Sequence, residues 1–175
     1  MGAKKRKIQS TLYNSGLAFI VLGFWSAIKE SISLFLDYGT LLKDEIHKFL
    51  LSMDTEFVAE ELRQLENLVY MVLVGLVIGV AVVVLLFHFF IGRAAMQEGK
   101  GKKKKIIYLI VAFLYLAFNV FIYIYGIVDS GSADLFDYSE LIVDLTVYFA
   151  CILIIISSIQ LRRIAKQENA VGLAA

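Results

Sequence analysis

The side chains most able to do chemistry are polar groups set inside long apolar runs. Lys29 and Glu30 interrupt the first run, Asn119 the third and Asp144 the fourth, and His88 stands among Phe87, Phe89 and Phe90 in the second. An ionisable group in hydrocarbon is costly. It turns to the protein interior and takes a partner, or it marks a path for ions or protons. Counted at helical spacing, Ser26, Lys29 and Ser33 share one face, and Gly16, Gly23, Ala27 and Glu30 share a neighbouring one. Tyr108, Tyr115, Asn119, Tyr123 and Gly126 recur at helical intervals, and Asp144, Tyr148, Cys151, Ser158 and Arg162 make a stripe on the last run. Lys29 and Asp144 fall at similar depths from the same end of their runs. Their spacing predicts an ion pair between adjacent helices, with Glu30 as the rival partner and snorkelling of Lys29 as the simpler alternative. Asn119 is expected to hydrogen-bond between helices, a contact worth about 0.6 kcal/mol in a bilayer. His88 reads as a hydrogen-bonding group near the inner interface, with pH sensing as the lesser reading.

Other chemistry is not signalled. There is no H-E-x-x-H, no G-x-S-x-G and no phosphate-binding glycine loop, and Cys151 is the single cysteine. His47 follows Asp44 by one helical turn, but two ligands make a poor metal site, and a solvated surface is the expected setting. Asp129 to Asp134 lacks the alternating ligands and terminal Glu of a calcium loop. The reading is therefore of no catalytic residue, no metal and no cofactor.

These groups must be positioned by elements suited to an apolar solvent. The chain has 175 residues, is 59% hydrophobic with mean hydropathy +0.76, and contains no proline. Soluble domains are about 45–50% apolar. A bilayer core about 30 Å thick is crossed by ~20 apolar helical residues. Four stretches qualify, 14–36, 68–92, 106–128 and 141–161. Continuous runs without period-two alternation predict helices and not barrel strands. The expected fold is all-α, a polytopic membrane protein comprising residues 1–175 as a single membrane domain, a bundle of four transmembrane helices.

Charge sets the expected orientation. Lys4, Lys5, Arg6 and Lys7 precede the first span, Arg93, Lys100, Lys102, Lys103, Lys104 and Lys105 occupy the 93–105 loop, and Arg162, Arg163 and Lys166 follow the last. These are 13 of the 17 basic residues, whereas 12 of the 16 acidic ones fall in the two opposite loops. Basic ends stay in the cytoplasm. Both termini are thus expected there, in a plasma (inner) membrane. Cleavage of the first span as a signal peptide is disfavoured by Lys29 and Glu30 before Ser31-Ile32-Ser33, and Arg6 breaks the myristoylation pattern.

The outer loop, 37–67, carries Leu42, Ile46, Phe49 and Met53 at helical spacing, which predicts an extra amphipathic helix. Asp54 or Thr55 then reads as the cap of a helix whose face Val58, Leu62, Leu65 and Val69 runs into the second span. Gly75 and Gly79 form G-x-x-x-G, and with Gly23 they mark sites where helices can approach closely. Lys102, Lys103, Lys104 and Lys105 serve topology and offer contact to anionic lipid head groups, not to nucleic acid. The functional expectation is a non-enzymatic membrane component that acts through helix and loop contacts, with itself as a homo-oligomer or with a partner membrane protein. The alternative is a small ion or proton channel or transporter using Lys29, Glu30, Asp144 and Asn119. A membrane enzyme has little support.

Overall fold

The computed structural model describes residues 2–36, 38–52, 59–102, 105–130 and 138–172, whose regular structure is helical throughout. The helices are α1 (Gly2–Leu36), α2 (Tyr38–Ser52), α3 (Ala59–Gly99), α4 (Ile107–Ser130) and α5 (Tyr138–Gly172). The expectations placed on Met53 to Val58, on Lys103 and Lys104, and on residues 131–137 lie outside the described residues, as does the side chain of Glu30. Among the described residues α1, α3 and α5 are long and apolar enough to cross a membrane, and α4 carries a shorter apolar stretch, Ile107–Ile122.

Three helices run well past the apolar stretches from which they were expected. α1 starts at Gly2 rather than near Asn14, α3 continues from Gly92 to Gly99, and α5 continues from Leu161 to Gly172. Packing explains the extensions. Ile8 and Leu12 of α1, Ala95 of α3, and Leu161 and Ile164 of α5 are all buried in one cluster. Lysine-rich sequence therefore stays helical there because its apolar face is covered.

By contacts the chain separates into two compact units, residues 1–23 with 87–175, and residues 24–86. In the first, Phe19, Ile91, Ala112, Cys151 and Ile154 lie at the centre. The side-chain pairs Lys5–Glu168, Glu98–Tyr108, His88–Tyr115 and Tyr108–Ser158 show successive helices running in alternate directions. Glycine sets the spacing of α1 and α3. A Cβ at Gly16 would stand 2.6 Å from the carbonyl oxygen of Gly92, and one at Gly92 would stand 2.5 Å from that of Gly16. Gly99 lies equally close to the backbone of Gln9 and Tyr13. Backbone thus meets backbone across this pair, with glycines at heptad spacing on each helix.

In the second unit α2 buries Ile46 and Leu50, with Leu42 half-buried, and leaves Phe49 exposed. The covered face is thus the i, i+4, i+8 row and not the expected one through Phe49. His47 Nδ1 pairs with Glu66 of α3, and the Lys43 ammonium lies 4.9 Å above the ring of Tyr70. Lys48 donates to Glu45 at 2.7 Å, and this bond holds its pKa above the usual lysine value.

Candidate functional site

The described residues bring chemistry together at one end of the first unit, around Glu98. The turn that ends α3 positions this residue. Lys102 N–H donates to the Gln97 carbonyl at 3.0 Å and Gly101 N–H to the Glu98 carbonyl at 2.9 Å. That is a Schellman cap, and it needs a left-handed residue, supplied by Gly101 at φ 82°. The cap reverses the chain and lets α4 return beside α3 after a short connection.

The Glu98 side chain is 8% exposed and receives three donors. The Tyr108 hydroxyl of α4 donates to Oε2, and Ser158 Oγ of α5 donates to the same oxygen at 2.9 Å. Arg162, one turn beyond Ser158, holds Nη2 at 3.2 Å from Oε2 and Nε at 3.0 Å from Oε1. The guanidinium thus grips both carboxylate oxygens, the charge-assisted geometry in which arginine outperforms lysine. One carboxylate ties α3, α4 and α5 together. Loss of one donor is measurable: Tyr108→Phe is expected to destabilise the chain by about 2 kcal/mol, since it removes a hydrogen bond to a buried charged group. Thermal denaturation in detergent checks this, and an unchanged midpoint would show that the contact contributes nothing.

Beside this clasp lies a cleft of about 580 Å³, lined by Glu98 and Arg162 together with Lys5, Gln9, Gly101, Lys102, Leu161, Ala165, Lys166 and Glu168. Lys5 of α1 and Glu168 of α5 form an ion pair there. At the end of α3 the Lys100 ammonium lies 5.1 Å from the Tyr13 ring centroid of α1.

A second polar group sits deeper. His88 is 2% exposed and stacks on Phe19 with ring centroids 4.5 Å apart. Its Nε2 is 3.1 Å from the Tyr115 hydroxyl. A Cβ at Gly23 would stand 2.5 Å from the imidazole, so this glycine makes room for the ring. His88 is therefore buried inside the first unit, where it makes a hydrogen bond between α3 and α4. The Cys151 thiol donates to the Ala112 carbonyl at 3.5 Å.

The other residues singled out from the sequence fall elsewhere. Lys29 is half-buried in the second unit and Asp144 is exposed in the first. Asn119 Nδ2 donates at 2.8 Å to the Tyr115 carbonyl, one turn back on its own helix. Gly75 and Gly79 have no atom within 4 Å of where a Cβ would be, among the described residues. Lys102 and Lys105 are exposed. Sequence reasoning missed Glu98, Lys5 and Glu168. The available signal was Glu98 itself, an acid in an otherwise basic segment, facing the Tyr108 and Ser158–Arg162 stripes. Comparison with protein-family models, with curated proteins and with solved structures finds no match.

Proposed function

We propose that the chain is a non-enzymatic integral membrane protein in which α1, α3, α4 and α5 cross the bilayer, with both ends and the 93–105 segment cytoplasmic. One observation carries this reading, the unbroken stretch of exposed large apolar side chains along the middle of each long helix, beside which only Phe49 and Leu51 of α2 are exposed among the described residues. The stretches run from Leu17 to Ile32 on α1, Leu68 to Phe90 on α3, Ile106 to Tyr125 on α4 with its lead-in, and Ile142 to Ile159 on α5. At 1.5 Å per residue these stretches are roughly 23–33 Å long, the thickness of a hydrocarbon core. Among the described residues none is exposed in 2–16, 91–105 or 160–172. Water-facing helix ends thus cover their apolar residues and the middle does not, which is the pattern of a protein with two solvents.

The basic residues at the covered ends support a cytoplasmic placement. The polar groups within the first unit are spent on joining helices, as Glu98 and His88 illustrate. That favours action through contacts, with a second copy or a partner membrane protein, over turnover. On this topology the acidic 37–67 loop is expected in the opposite compartment.

Reporter fusions test the topology. Fusions at Lys102 and at the C-terminus are expected to report the cytoplasm, and one at Asp44 the opposite compartment. Agreement of Lys102 with Asp44 would refute it. Mass measurement in mild detergent tests the mode of action. An oligomer or a co-purifying membrane partner is expected, and a strict monomer without one counts against it.

A further inference from the structure

We infer that the cleft beside Glu98 binds the phosphate-bearing head group of an anionic phospholipid. The inference rests on the membrane reading above, which puts the cleft at the bilayer surface, and deepens it by naming a ligand and its site.

Its lining presents Lys5, Lys102, Arg162 and Lys166 against Glu98 and Glu168. Both carboxylates are already engaged, Glu98 with Arg162 and Glu168 with Lys5. Among the described residues Lys102 and Lys166 make no ion pair. The cleft therefore keeps two ammonium groups for an incoming anion, and Gln9 adds an amide donor. The helices that form it are tied by the Glu98 clasp and by the glycine contacts between α1 and α3, and the Lys102 backbone is fixed by the cap at the end of α3, so the two lysines rise from ordered positions. A volume of about 580 Å³ suits a head group and exceeds what a single small ion needs.

Depth selects lipid over a dissolved phosphate. On all four helices the apolar belt starts within a few turns of the cleft, at Leu17, Phe90, Ile106 and Ile159. A phosphate seated between Lys102 and Lys166 would have its acyl chains lying along Ile106, Ile110 and Ile159, which are exposed. The lipid thus meets cation and hydrocarbon at the heights where its own parts lie.

The test uses the full chain in an uncharged mild detergent. It is titrated with phosphatidylglycerol, phosphatidylcholine or soluble glycerol phosphate, and binding is read by native mass spectrometry. Phosphatidylglycerol is expected to bind at least tenfold more tightly than phosphatidylcholine. Each lysine near the surface contributes about fivefold, so Lys102→Gln with Lys166→Gln should weaken phosphatidylglycerol by roughly 25-fold. The corresponding arginine pair should retain binding, and Lys48→Gln with Arg63→Gln in the second unit should not alter it. An unchanged affinity in the Lys102/Lys166 variant would overturn the proposal, as would an equal loss in the Lys48/Arg63 variant. Glycerol phosphate binding as tightly as the lipid would also overturn it. Bilayer integration of the same preparations, scored by carbonate extraction, separates the two readings: a chain that stays in the bilayer but shows no lipid preference defeats this inference alone.

Discussion

Replacing Arg162 with methionine is expected to lower the stability of the folded chain by about 3 kcal/mol. The physical reason is the partner left behind. Glu98 is 8% exposed, and without the guanidinium its charge keeps only Tyr108 and Ser158 as donors. Removing one member of a buried ion pair costs about 3–5 kcal/mol, and Arg162 is 31% exposed, which places the effect at the lower end. Arg162→Lys should cost about 1 kcal/mol, because an ammonium cannot span both carboxylate oxygens as Nε and Nη2 do. Glu98→Gln combined with Arg162→Met should be far milder than the sum of the two single changes, since neither charge is then stranded. Denaturation midpoints for the four species give the coupling directly, and additive effects would show that the pair is not an energetic unit.

The second large effect reverses sign along one helix. Alanine is the better helix former than glycine by about 0.8–1.0 kcal/mol. At Gly75, where a Cβ meets nothing among the described residues, Gly75→Ala should stabilise by up to about 1 kcal/mol. At Gly92 the added carbon would stand 2.5 Å from the Gly16 carbonyl oxygen and 2.5 Å from Ile20 Cγ1. A backbone carbonyl cannot swing aside, so α1 and α3 must part. Overpacking of this kind costs about 1–3 kcal/mol, and Gly92→Ala is expected to lose about 2 kcal/mol net. Gly16→Ala should match it, because the two positions oppose each other. Equal effects at positions 75 and 92 would mean that the close approach is not formed in the folded protein.

These contrasts show what the residues themselves disclose. Apolar run length placed the helices, because a run without alternation can bury its backbone polarity only by coiling. Parts of two stripes were legible for the same reason, Tyr108 with Tyr115 and Cys151 with Ser158, whose shared faces are covered, whereas Asp144 at the far end is exposed. Less legible were the ends. Hydropathy has no way to tell that Ile8 and Leu12 are covered, because their neighbours are lysines, and covering depends on α3 and α5 arriving beside them. Glu98 escaped notice likewise. Its chemistry is made by residues ten, sixty and sixty-four positions away, and a single chain carries no sign of such meetings. The glycines followed suit: G-x-x-x-G drew the eye to Gly75 and Gly79, whereas the close approach uses the heptad pair Gly92 and Gly99, facing the α1 backbone around Gly16 and Gln9.

The clasp around Glu98 also bears on the order of synthesis. Glu98 emerges from the ribosome before Tyr108, and well before Ser158 and Arg162, while Lys5 waits longest, for Glu168. Until α5 is made, the carboxylate of α3 has no cation from its eventual site, and Lys5 lacks Glu168, so α1 is held through its glycine contacts with α3 and not yet by that ion pair. A nascent chain halted after α4 is thus a poorly latched intermediate, open to quality-control proteases. Release of the last helix closes both latches together, so maturation should proceed as one late, concerted step.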